Sequence, residues 1–294
     1  ESVVTPKPSR LSMMNAPSRM AVRAVAALRA GDLDSLVEAY ADDYIHADHR
    51  RLSGEPITDR ASIRNAWERI IAPYNRFEID VIAVRGERLH LARSRWSDES
   101  GNQSIGLVVS ETNESGQIAF QDRFDEDDFN GAFEELERRY YSGEGAAFAE
   151  YGNAASQLMT AENSGDYDKL FNELAAPGLR VESRAGTIFP ERTPAELRDS
   201  VELFHAMVAS ARTWYSVVRW LSPSCAVVRQ EREAIGEEGE HYEWSRIYVA
   251  EFERGLYTGI CDFDVEFEAQ AFAYAEERLR AAQSPRSEEH TSEL

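Results

Sequence analysis

The feature that most constrains this chain is internal repetition. Gly31-Asp32-Leu33-Asp34-Ser35-Leu36 returns as Gly165-Asp166-Tyr167-Asp168-Lys169-Leu170, and both read Gly-Asp-x-Asp-x-Leu. In each copy the Gly ends one helical pattern and the Asp caps the next. Phe124-Asp125 and Phe263-Asp264 likewise stand before two amphipathic runs. A duplicated unit accounts for two such matches at corresponding places. The chain must therefore fold as two similar bodies in tandem.

The order of elements repeats as well. Pro17-Ser18 opens a helix carrying Met20, Val22, Val25, Ala26 and Leu28. Asp32 caps a short helix with Leu33, Leu36, Val37 and Tyr40. A strand is expected over Tyr44–Arg50, then a helix capped by Thr58 and stopped before Pro73. Strands follow near Phe77–Val84, Leu89–Trp96, Ser104–Glu111 and Gln117–Phe124, separated by turn residues such as Ser115-Gly116. Asp125 starts a helix with Phe129, Phe133, Leu136 and Tyr140 on one stripe. The second pass predicts a helix over Ala146–Asn163, a short helix after Gly165-Asp166 and a strand at Leu179–Arg184. A helix from Thr193-Pro194 to about Ala211 comes next. Strands at Trp214–Leu221, Cys225–Glu233, Tyr242–Phe252 and Leu256–Phe263 precede a last helix over Val265–Ala282.

This places one α+β domain at 17–143 and another at 144–285, with a tail or linker at 1–16. Residues 286–294 resemble a translated sequencing-adapter read and are set aside as non-native. The opening Glu1 marks a fragment, and the native C-terminus is expected to be missing. Hydrophobic residues make up 43% of the 294, enough for a core in each half. A formal charge of −21 argues against nucleic acid or an anionic membrane as partner, since both need a basic surface. Cys225 and Cys261 are the only cysteines, which suits a reducing cytoplasm without disulfides. No run of about 18 apolar residues predicts a membrane helix.

Helices followed by a four-stranded meander resemble the NTF2-like fold, and the Gly-Asp-x-Asp-x-Leu break resembles the helix junction of its SnoaL-like members. The resemblance spans about 17–283. It implies two cone-shaped domains, each with a curved antiparallel sheet wrapped on helices and a pocket at the wide end. A narrower resemblance rests on Asp48-His49-Arg50-Arg51, Arg85-Gly86-Glu87-Arg88-Leu89 and the run from Phe124 through Phe133-Glu134-Glu135-Leu136 to Tyr140. These are similar to the tandem C-terminal repeats of actinobacterial signalling proteins that carry a cyclase-like or helix-turn-helix part and an ATPase core. It implies an accessory region here, because the chain holds no Gly-x-x-x-x-Gly-Lys-Ser/Thr loop. The second copy has Glu182-Ser183-Arg184-Ala185 in place of Asp-His-Arg-Arg.

Asp122, in the last strand of the first copy, is the leading candidate for chemistry. The SnoaL-like cyclases imply an acid/base carboxylate near the pocket mouth, with His46, Tyr44 and Trp96 as companions. A carboxyl buried among aromatics would have a raised pKa. The competing reading pairs Asp122 with Arg123 at the rim. Asp262 is taken as its counterpart in the second copy. Strand alternation puts His46 and Asp48 on one face and His49 on the other, so no metal site is expected, and Asp48 with Arg50 makes a local ion pair. Trp67, Arg93, Arg95, Trp96 and, in the second copy, Trp244 are candidate ligand contacts. If Arg93 and Arg95 face the pocket they favour an anion; if they face out they balance the acidic surface.

Two functions follow. The first is a non-catalytic module that senses a small apolar or anionic molecule, or mediates self-association or domain pairing. The second is a cofactor-independent cyclase, isomerase or dehydratase using Asp122. A purely structural dimerisation arm is a third. None calls for a cofactor.

Overall fold

The computed structural model describes residues 8–52, 57, 59–186 and 191–283. Contacts divide the chain into two compact units, Glu1–Gly152 with Tyr215–Val218, and Asn153–Trp214 with Arg219–Leu294. The expected tail at 286–294 and the cap Thr58 lie outside the described residues.

The first unit runs α1 (Ala16–Ala30), α2 (Leu33–Glu38), β1 (Tyr40–Asp48), α3 (Arg60–Ile71), β2 (Arg76–Arg85), β3 (Leu89–Ser97), β4 (Gln103–Thr112), β5 (Ile118–Asp125) and α4 (Phe129–Ser142). Its strands lie in the order β1-β5-β4-β3-β2, with β1 parallel to β5 and the rest antiparallel. One sheet face meets α1, and the other meets α4. Side-chain alternation decides what each face carries. Phe77, Trp96, Val108 and Arg123 turn toward α1, whereas Leu91, Val109, Phe120 and Phe124 turn toward α4. The α4 stripe that meets them buries Phe129, Ala132, Leu136 and Tyr140.

The second unit runs α5 (Ala149–Ser164), a π-helical turn at Lys169–Glu173, β6 (Ala175–Ser183), β7 (Glu191–Arg192), α6 (Pro194–Ala206), β8 (Val208–Ser222), β9 (Cys225–Gly236), β10 (His241–Glu253), β11 (Leu256–Phe263) and α7 (Glu268–Gln283). Its strand order is β8-β9-β10-β11-β6-β7, so β6 flanks β11 as β1 flanks β5, both in parallel. Helix α7 packs on β9, β10 and β11.

The repeated Gly-Asp break has one cause in both units. Gly31 and Gly165 each sit at φ 69°, in the left-handed region. The Gly31 and Gly165 N–H groups return to Leu28 and Glu162, and the Asp32 and Asp166 N–H groups to Ala27 and Ala161, both at 2.9 Å. The Asp32 carboxylate then accepts from Ser35 N–H, and that of Asp166 from Lys169 N–H.

Several boundaries differ from expectation. β1 begins at Tyr40, which the helical spacing had assigned to α2; an irregularity between Tyr40 and Ile45 lets Tyr40 pair with Ile118. Asn15, rather than Pro17-Ser18, caps α1. Asp59 caps α3 in a reciprocal box with Ser62. β5 continues through Asp125, so Asp128 caps α4. Helix α6 ends at Ala206, and β8 takes up residues expected to be helical. The short helix expected after Gly165 is the π-helical turn, and β7 had no forecast. Among the described residues no helix is long and apolar enough to cross a membrane.

Candidate functional site

Between α1, α3 and the facing sheet of the first unit lies a cavity of about 60 Å³. Its walls are apolar: Pro17, Ala21, Ala24, Val25 and Leu28 from α1, Trp67 from α3, and Phe77, Ile79, Trp96 and Val108 from the sheet. Leu28, Leu36, Phe77 and Trp96 form one buried cluster, with Trp67 and Tyr74 packed against it. The indole rings of Trp67 and Trp96 stand edge to face, 5.9 Å between centroids.

Polar groups enter this apolar space from four strands, and most satisfy one another. Gln121 Oε1 accepts from the Tyr44 hydroxyl at 3.0 Å and from the Tyr40 hydroxyl at 3.4 Å. Gln121 Nε2 donates to Ser110 Oγ at 3.1 Å, and Trp67 Nε1 donates to the Tyr40 hydroxyl at 3.3 Å. Burial raises the pKa of both tyrosines and keeps them neutral. His90 is fully buried, its Nδ1 3.3 Å from Ser18 Oγ. Ser18 gives its proton to Asn15 Oδ1 at 2.8 Å, so it can only accept from His90. Burial pulls the His90 pKa down to about 4, so the ring is neutral at neutral pH.

Arg123 stands apart from this network. It lines the cavity with its guanidinium 4.9 Å from the centre of the Trp96 ring, and its side chain makes no hydrogen bond or ion pair with any described residue. The carboxylate in register with it, Asp48, is held by both Nε and Nη2 of Arg50, at 2.8 and 2.7 Å. Burial, and then the charge of Arg50, depress the Arg123 pKa.

Asp122 lies across the sheet from this cavity. It is 4% exposed and faces α4, with His49 Nε2 2.8 Å from its Oδ1. Burial raises its pKa, opposed by His49. The partner is thus His49 and not His46, because His46 shares the other face with Gln121. His46 has a buried Nε2 without a hydrogen-bond partner, and its pKa is drawn down to about 4 by burial and then by Arg123. The grouping of Asp122 with His46, Tyr44 and Trp96 is therefore not formed. Trp67 and Trp96 line the cavity, and Tyr44 supports it through Gln121. Arg93 and Arg95 turn toward the α4 side and pair with Glu126 and Glu78 at 3.1 and 3.0 Å. Theirs is the outward-facing alternative.

The inner face of the second unit is arranged differently. Asp48 and Arg123 are in register, as are Ser183 and Asp262; His49 N–H donates to the Arg123 carbonyl as Arg184 N–H does to that of Asp262, both at 2.8 Å. Asp262 is therefore the counterpart of Arg123, and Cys261 that of Asp122. Arg192 lies 3.9 Å from Asp262. The interior cation here is Arg232, which donates to Thr213 Oγ1 at 2.8 Å and is paired with buried Glu162. Trp244 and Phe204 lie beside its guanidinium, at 5.7 and 5.1 Å. Burial pushes the thiols of Cys225 and Cys261 up to about 12, which leaves them inert.

Sequence reasoning missed Arg123, Gln121, Tyr40, His90 and Ser110. The signal for the first two was the alternation Phe120-x-Asp122-x-Phe124. It matches the apolar stripe of α4 and so turns Gln121 and Arg123 inward.

A SnoaL-like domain model matches residues 21–127. The first unit carries a SnoaL-like domain. Among solved structures, PrhC from Penicillium brasilianum is similar at 14% identity and a TM-score of 0.37, covering 47% of this chain and 94% of its own. AusH from Aspergillus nidulans is similar at 12% and 0.35, covering 40% and 92%. An LEH-like epoxide hydrolase of M. tuberculosis is similar at 13% and 0.34, covering 46% and 90%. No curated protein matches the chain. The SnoaL-like match ends before α4, and it includes every cavity wall named above except Pro17.

Proposed function

We propose that the chain is a non-catalytic module of two SnoaL-like units, of which the first binds a small molecule in its inner cavity. Such a module suits the accessory region of a larger bacterial signalling protein. One observation carries the binding reading. The SnoaL-like unit encloses an aromatic-walled cavity, and the titratable groups turned into it are a cation, neutral imidazole and neutral phenols. Glu78, which also borders the cavity, turns its carboxylate to the opposite face of the sheet, where Arg95 holds it. Proton abstraction from carbon needs a base poised near the working pH, and this lining offers none.

The test is heteronuclear NMR of the tryptophan side chains during titration with a neutral probe, benzyl alcohol. Shifts of the Trp67 and Trp96 indole signals are expected. Ala24→Phe, which fills the cavity from α1, should abolish them while the folded spectrum persists. Wild-type protein whose two indole signals do not respond would remove the binding reading.

The enzymatic alternative keeps one observation in its favour: Asp122 is buried, has a raised pKa and contacts a half-exposed His49. That dyad faces α4, so its substrate would have to reach the rim of that face and not the cavity. Turnover of any substrate that vanished in Asp122→Asn would establish it.

A further inference from the structure

We infer that the cavity of the first unit selects a small monoanion with a flat apolar body, an aryl or alkenyl carboxylate, and that Arg123 is the residue that recognises it. This rests on the binding reading above and names the ligand class of that same site.

The Arg123 side chain lacks a hydrogen-bonding partner among the described residues. A guanidinium presents five N–H donors and keeps its charge, so taking it out of water without a partner is unfavourable. Other interior arginines of this chain avoid that condition. Arg85 donates to Glu137 at 2.9 Å, and Arg232 is paired with Glu162. Arg123 has only the face of Trp96, while the neighbouring carboxylate is held in a two-point grip by Arg50. Stacking on an indole occupies the flat of the guanidinium and leaves its N–H edge open. That edge is the shape that pairs with a carboxylate through two parallel hydrogen bonds.

The rest of the lining fixes the body and the charge of the ligand. Trp67, Trp96 and Phe77 offer flat apolar walls, which favour a planar group over a sugar or a polyol. A single uncompensated cation balances one negative charge. A dianion would leave its second charge in apolar surroundings, in a protein of net charge −21. Phosphate esters are disfavoured on that ground.

The experiment compares benzoate, benzyl alcohol and phenyl phosphate by calorimetry on wild type, Arg123→Gln and Arg123→Lys, with circular dichroism confirming the fold of each. Wild type should bind benzoate roughly tenfold or more tighter than benzyl alcohol, as expected for a charged two-point hydrogen bond. Arg123→Gln should erase that preference. Arg123→Lys should restore only part of it, since an ammonium keeps the charge and loses the fork. Phenyl phosphate should bind no tighter than benzoate. Equal binding of benzoate and benzyl alcohol by wild type, unaffected by Arg123→Gln, would overturn the anion inference and leave the cavity as a site for neutral ligands. A tighter phenyl phosphate would overturn the monoanion assignment. Failure of all three probes to bind would overturn the binding reading itself. Should Arg123→Gln not fold, the lysine variant still decides the matter, because a merely structural arginine would leave the benzoate preference intact in it.

Discussion

The two units share a scaffold and differ in how each treats a buried cation. In both, a left-handed glycine and a capping Asp end the first helix, and in both a parallel first strand flanks the last strand of the meander. Where the first unit turns Arg123 inward without a carboxylate, the second has Asp262 at that register position, and its own interior arginine is neutralised by Glu162. Thr213 and Asn163 complete that second arrangement through bonds of 2.7 to 2.8 Å. An interior whose charges are internally matched has no electrostatic need of a ligand. One that leaves a guanidinium facing a cavity does. In the binding reading proposed above, the two units differ not in fold but in the charge balance on one sheet face.

Removing the match in the second unit should have the largest effect. Glu162→Ala would leave Arg232 buried without its carboxylate, at a cost of about 3–5 kcal/mol. Denaturant unfolding followed by far-ultraviolet dichroism measures it, and a loss below about 1 kcal/mol, the size of an exposed pair, would show that the pairing is not what neutralises the interior.

A pH dependence comes next, and it belongs to the first unit. His90 titrates near 4 in the fold against 6.5 for the free side chain, so the unfolded chain binds more protons between those values. Stability is then full above 6.5 and falls as pH drops from 6.5 toward 4, by about 3 kcal/mol if His90 acts alone. His46 contributes in the same direction. In His90→Gln the fall over this window should be smaller, and an unchanged slope would show that some other group carries it.

Much of this scaffold was legible in the sequence, and the reasons are local. The Gly-Asp breaks could be read because a left-handed C-cap followed by an Asp N-cap needs those two residue types and little else. The helix start at Thr193-Pro194 was legible because Pro is pre-set for the first helical position. Strand ends were less so: β1 begins four residues before Tyr44 because Ile118, remote in sequence, pairs with Tyr40. The site was least legible. Two of the aromatic candidates, Trp67 and Trp96, wall a cavity. Asp122 was assigned to the wrong face, because in a strand buried on both sides the hydrophobic pattern does not say which side holds the cavity. Asp122 was chosen where Arg123, its neighbour, lines the space. Arg93 and Arg95 were candidates because they share a face, but that face meets α4 and the acidic rim.

What the units share should also respond alike. Gly31→Ala and Gly165→Ala each force a side chain into the left-handed region at φ 69°, where open space around Gly31 leaves conformational strain as the sole cost. Each should lose about 1–2 kcal/mol. A large disparity between the two in matched denaturant titrations would mean that the repeated break carries a different load in each unit.

The smallest effect is the most telling. Arg123→Met should leave the stability of the ligand-free protein unchanged or raise it by about 1 kcal/mol, because it removes a half-buried cation without a side-chain partner and keeps an unbranched apolar stem against Trp96. A structural arginine behaves in the opposite way: Arg85→Met, which strands Glu137 in the interior, should be destabilising. Thermal unfolding of the two variants side by side separates the cases. A substantial loss in Arg123→Met would mean that the guanidinium holds the fold together through Trp96, and the contrast between the units would then reduce to two ways of stabilising one scaffold. An unchanged or higher melting temperature would mean that the residue is retained at the expense of stability, which is how a group reserved for a ligand behaves.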